Sequence, residues 1–142
     1  VTARILLVLL ALTACAAEGP PIQVRDAYSH ESVLGRVGVV YFTVVNRGTR
    51  PDTLVDVEVS GALVAMVHDQ VAQGDMVEMR HVGPLPIPPH STVVLKPGGL
   101  HVMMEGLERA PVAGDTLTVT ARFAGGQEVV VRAPVLPYGA EP

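Results

Sequence analysis

The feature that most limits what this chain can become is its punctuation. Runs of five to ten residues rich in Val, Thr and Ile are cut by clusters of Gly, Pro, Asn and Asp. Branched side chains suit a pleated surface, and the turn residues end each run, so the pattern is one of short antiparallel strands. Thr53, Val55, Val57 and Val59 share one face of a period-two strand over 52–60, and Leu117, Val119, Ala121 and Phe123 do the same further on. Gly125-Gly126 then turns the chain back into 128–132 as a hairpin. Other strands are expected over 22–28, 37–45, 62–68, 77–82 and 92–95, and the one place for a short helical turn is 29–37. Seven or eight such strands predict an all-β fold, an antiparallel Greek-key sandwich or flattened barrel.

With 142 residues, 49% of them hydrophobic, there is material for one real core and not for two. A formal charge of −4 without a basic cluster leaves nothing to neutralise phosphates, which argues against nucleic acid. The absence of Trp, with only two Phe and three Tyr, removes base- or sugar-stacking platforms. Cys15 is the only cysteine, so no intramolecular disulfide and no paired-thiolate site is available. Arg4, the apolar run Ile5 to Leu12 and the small residues around Cys15 have the pattern of an export signal, too short to span a bilayer. Leu12-Thr13-Ala14-Cys15 resembles the bacterial lipobox, in which the cysteine becomes the lipid-modified first residue of the mature chain. The expected organisation is a signal peptide with lipobox over 1–15, a tether over 16–21, one β-domain over 22–136 and a frayed end over 137–142. An exported protein is expected, periplasmic or at the cell surface and held to the membrane by a lipid on Cys15; the alternative is an ordinary signal in which Cys15 is only a small residue and cleavage follows Ala14-Cys15-Ala16.

Four side chains carry the chemistry. His68 is followed by ten residues and Met79; twenty-one residues later come His101, one residue, and Met103. His101 and Met103 are two apart after the Pro97-Gly98-Gly99 turn, which puts both on one face of a strand. His68 and Met79 lie on adjacent strands joined by the polar loop 69–75, so a hairpin can bring them together. Thioethers are soft, neutral donors that suit Cu(I) and not zinc, magnesium or calcium, and neutral imidazoles add no charge. A His2Met2 set therefore points to one Cu(I) per chain, and the lack of a thiolate sets it apart from a blue-copper electron-transfer site.

The strings HDQVAQGDMVEM and LKPGGLHVMMEGL, with MRHV, IPPHSTVVLKPGGLHVMM and GDTLTVTARF around them, resemble the periplasmic copper chaperone family called PCuAC over most of the domain. Its motif is His, ten residues, Met, twenty-one residues, His, one residue, Met, and all four positions match at His68, Met79, His101 and Met103. The resemblance implies a cupredoxin-like sandwich with Cu(I) at one exposed end. It also implies delivery to the binuclear CuA centre of cytochrome c oxidase, with oxidase subunit II or another copper-assembly protein as partner. The His- and Met-rich tail of some members has no counterpart in 137–142, so a second tail-borne site is not expected.

The remaining candidates have plainer readings. Met66 and Met104 are expected as core fillers, and Met76 as the substitute or supporting ligand. His30, His81 and His90 are expected on the surface or in turns, away from the ion. Asp69, Asp75 and Glu78 form no acid–base pair and are expected as solvated loop charges, and no hydrolase, phosphate-loop or zinc-protease motif occurs, so no enzyme is expected. Two other functions compete with delivery: a copper buffer using the same ligands, and a non-metal immunoglobulin-like interaction module.

Overall fold

The computed structural model describes residues 20–33 and 35–142. The signal segment, Cys15 and most of the expected tether lie outside the described residues. Ten strands follow one another: β1 (Ile22–His30), β2 (Gly38–Asn46), β3 (Asp52–Val59), β4 (Val64–Gln73), β5 (Met76–His81), β6 (Leu85–Ile87), β7 (Ser91–Val94), β8 (His101–Glu105), β9 (Thr116–Phe123) and β10 (Glu128–Leu136). There is no helix among the described residues, and hence none able to cross a membrane.

One sheet runs β5-β4-β8-β2-β1, with β7 beside the second half of β2; the other runs β10-β9-β3-β6. A short parallel pairing of β1 with β10, at Ser29↔Val135 and His30↔Leu136, joins the two into an open path. All other pairings are antiparallel. The core fills the space between the sheets. Val40, Phe42, Val44, Val102 and Met104 come from one sheet; Leu54, Val57, Val119, Ala121 and Phe123 come from the other. β2 is buried along most of its length because β1, β7 and β8 flank it.

Local irregularities move several side chains from their expected places. β3 does not alternate strictly: its pairing with β9 shifts between Leu54 and Asp56. Leu54, Val57 and Val59 therefore enter the core, while Val55 faces out. A second bulge, with Asp26 at φ 55, interrupts β1 between Arg25 and Tyr28 and sets Tyr28 opposite Tyr41. No helical turn forms over the described part of 29–37; Ser29 and His30 belong to β1, where the buried Ser29 hydroxyl donates to the Val39 carbonyl at 2.7 Å. β6 was not expected, since Pro84, Pro86, Pro88 and Pro89 crowd it. It is an edge strand paired only with β3, and an edge tolerates the missing N–H of Pro86. The residues after β10 do not fray at once: Glu31 accepts from the Tyr138 N–H at 3.1 Å, and His30 Nε2 donates to the Ala140 carbonyl at 2.7 Å.

Candidate metal centre

The expected polar loop between His68 and Met79 is mostly strand. β4 and β5 pair from His68↔His81 to Gln73↔Met76, leaving only Gly74-Asp75 as the turn. Gly74 has φ +61 at the first loop position, the arrangement of a tight two-residue hairpin that only glycine adopts cheaply. His68 and Met79 therefore stand on paired strands, with Met79 opposite Gln70. On the other side of β4, β8 pairs at Met66↔Met103 and His68↔His101.

Strand alternation then sorts the side chains. Val67, Val102 and Met104 point into the core, so His68, His101 and Met103 share the outer face. Met79 lies diagonally across from His68 on that face, within the reach of long side chains on neighbouring strands. The His68 and His101 ring centroids are 5.9 Å apart and nearly perpendicular. His101 is 3% exposed, whereas Met79 at the open edge is 55% exposed.

The nitrogens are prepared for a Lewis acid. His101 Nδ1–H donates to the Gly99 carbonyl at 2.9 Å, which leaves the Nε2 lone pair free in the neutral ring. The same carbonyl accepts from the Gln70 N–H at 3.4 Å, tying the turn before β8 to β4. His68 Nδ1 is buried and has no hydrogen-bond partner. A polar atom in that state is costly, and coordination to an ion is one way to satisfy it. Burial, then His101 and His81, lower the His68 pKa below its ordinary value, while Glu105 opposes them; the neutral, coordinating imidazole is favoured. In the present rotamers no three His, Cys, Asp or Glu side chains among the described residues form a ready ion cage. The donor set is thus two imidazoles with thioethers above and below them, which fits a soft monovalent ion better than a hard one.

Other residues land differently from expectation. Met104 is a core filler as expected, fully buried. Met66 is not part of the core cluster; it stands on the outer face opposite Met103. Met76 is 73% exposed and pairs with Gln73 on the opposite face of the hairpin, away from His68, so strand parity removes it as a supporting ligand. His90 is an exposed turn residue. His30 is partly buried beside Tyr28, Tyr41 and Tyr138 instead of lying on the open surface. His81 is exposed but sits directly opposite His68, ring centroids 5.7 Å apart. Each of three strands thus bears a His and a Met two residues apart: Met66 and His68, Met79 and His81, His101 and Met103. That repeated spacing was the available signal for Met66 and His81. Glu78 is on the opposite face, near Arg80 at 4.0 Å and accepting from Gln73 Nε2 at 3.0 Å, so no carboxylate pair faces the histidines there.

Comparison with known proteins agrees with this architecture. Residues 22–135 match the family described as "Putative lipoprotein LpqE-like". The chain is 29% identical to "Putative lipoprotein Lxx21020" of Leifsonia xyli subsp. xyli, over 92% of this chain and 86% of that protein. Among solved structures, the Cu(I) form of DR1885 from Deinococcus radiodurans has a TM-score of 0.68 at 29% identity, covering 89% of this chain and 85% of that one. The apo PCuAC domain of PmoF1 has a TM-score of 0.67 at 25% identity, covering 82% and 93%. The copper-bound PCuAC domain of PmoF2, at 24% identity and a TM-score of 0.68, shares the fold over 83% and 94%. With its cupredoxin-like β-fold and its match along nearly the whole domain, the chain belongs to the LpqE-like family, a family of the PCuAC type.

Proposed function

We propose that this protein is an exported copper chaperone, tethered by a lipid on Cys15, that holds one Cu(I) through His68, Met79, His101 and Met103. The ion is cargo, passed on to the CuA centre of cytochrome c oxidase. The observation that carries the reading is the cross-strand pairing of His68 with His101, one nitrogen of each prepared as described above and thioether-bearing positions diagonal to the pair. The Cu(I) form of the Deinococcus radiodurans relative supports the choice of ion, and the lipoprotein descriptions of the family and of the Leifsonia relative support the anchor. Placement on the outer sheet face, with Met79 at an open edge, suits a site that must release its ion. Soft neutral ligands hold Cu(I) without a thiolate, so a recipient offering thiolates can take it downhill. A non-enzymatic role follows, because the site offers an ion a place without an acid–base pair beside it.

Titration under reducing conditions with Cu(I), or with Ag(I) as a redox-silent substitute, tests this. One ion per chain is expected, with affinity lost when His101→Ala and Met103→Ala are combined. Full affinity in that double variant would remove the pair from the site. Delivery is separated from storage by deleting the gene: an oxidase defect at low copper supports delivery, and copper sensitivity with normal oxidase supports a buffer.

A further inference from the structure

β5 is the free end of its sheet: β4 pairs with one side of it, and no strand among the described residues pairs with the other. All six residues of β5 are exposed, with Met76 at 73%, Val77 at 67% and Met79 at 55%. An open edge with that apolar content is a template for another strand unless something blocks it. We infer that this edge pairs antiparallel with β5 of a second copy, about a two-fold axis at Met79, so that two chains share one continuous sheet.

Backbone direction and charge select that partner and that register. In an antiparallel ladder, alternate residues turn both backbone polar groups toward the same neighbour. The Val82 N–H donates to the Val67 carbonyl at 2.9 Å. By alternation Met76, Glu78 and Arg80 bond to β4, and Val77, Met79 and His81 turn their N–H and C=O to the open side. Against a second copy these three meet as Met79 with Met79 and Val77 with His81, all as hydrogen-bonded pairs. Glu78 of each copy then stands opposite Arg80 of the other, at the non-hydrogen-bonded positions where side chains come closest. The neighbouring registers on either side set Glu78 against Glu78 or Arg80 against Arg80, and like charges directly opposite repel. Both groups are available: within one chain they are 4.0 Å apart and more than half exposed. Gln73 and Arg80 both approach Glu78 at Oε2, which leaves Oε1 open.

Glu78 and Arg80 lie on the face opposite His68, so the pairing stands whether or not the outer face holds copper. On the outer face the two Met79 side chains adjoin at the axis. The β4 strands that carry His68 then lie three strand spacings apart, about 14 Å. One strand edge buries less than a standard interface, so the dimer is weak and depends on concentration.

Sedimentation velocity of the purified protein over roughly 10 µM to 1 mM, the range of a weak encounter, tests this. Wild type is expected to shift from monomer to dimer across that range. Glu78→Arg and Arg80→Glu should each weaken dimerisation at least tenfold, because every substitution acts twice about the axis. Mixed in equal amounts, the two variants should associate as wild type does, since each supplies the charge that the other has lost. Both positions are exposed on an edge strand, so the variants should keep their fold, which circular dichroism checks. A wild type that stays monomeric at the highest concentration would overturn the inference and leave the edge to a strand of different sequence. Single variants that dimerise as wild type does, or a mixture that stays monomeric, would overturn it as well, because either result places the contact elsewhere.

Discussion

Met103 and Met104 are chemically identical neighbours on β8 that point to opposite sides of one sheet, so truncating each to Ala should damage different properties. Met104 is fully buried, and a Cβ placed on Gly38 would come within 2.8 Å of its terminal methyl, so the side chain lies against the β2 backbone. Removing its outer atoms forfeits about 1.5–3 kcal/mol of transfer free energy. A residual cavity of roughly 60 Å³ adds ~1.4 kcal/mol, for a total of about 3–4 kcal/mol. At about 4 °C per kcal/mol for a domain of this size, Tm should fall by roughly 12–16 °C. Met103 is only partly buried and outside the core cluster, so Met103→Ala should cost about 1 kcal/mol. Its effect should appear in Cu(I) affinity, measured by competition with a chromogenic Cu(I) chelator, as a loss of tenfold or more; Met104→Ala should keep affinity within about threefold below its own Tm. The reasoning is refuted if the two variants are equally destabilised, or if Met104→Ala loses copper as Met103→Ala does.

Two further outcomes probe the scaffold. Asn46 is almost wholly buried, donating to the carbonyls of Arg50 at 2.8 Å and Ile87 at 3.2 Å and accepting from the Gly48 N–H at 2.9 Å. Asn46→Ala should therefore cost about 2–4 kcal/mol in urea denaturation, and a cost under ~1 kcal/mol would show that these bonds are replaced by water. Asp115 accepts two hydrogen bonds from Arg109, at 2.7 and 2.9 Å, and one from the Val112 N–H. The Arg109 guanidinium, then the Val112 N–H, lowers its pKa from 3.8 to about 2. A depressed carboxylate stabilises the fold above its unfolded pKa and loses that effect as pH falls through the folded value. The Tm gap between wild type and Asp115→Asn should thus be steady above pH 5 and close between about pH 4 and pH 2; a gap unchanged at pH 2 would exclude the carboxylate as its source.

Much of the fold was legible because local chemistry and tertiary packing agree. Val119, Ala121 and Phe123 are buried as their alternation required, and Gly125-Gly126 turns β9 into β10. Elsewhere a bulge or an edge overrode the local pattern. Val55 alternates with core residues in the sequence but faces out, because one irregular pairing with β9 shifts the parity. β6 was hidden by prolines that only an edge position accommodates. Among the candidate ligands, the shared face of His101 and Met103 was legible from their spacing. Met76 was misplaced because the strand was expected to begin at 77; β5 begins at Met76, so its alternation puts Met76, three residues from Met79, on the opposite face.

Composition and spacing alone determined that the chain is a β-protein bearing soft neutral donors in a pattern suited to copper, since both depend on residue type and on separations along one strand. Which strands lie side by side was decided only by the tertiary structure. Register is a property of pairs of segments, set by bulges, by the tight Gly74-Asp75 turn and by burial of Val67 and Val102 in the common core. That pairing placed His68 between His101 and His81, and turned His81, expected away from the ion, into a neighbour of the proposed site.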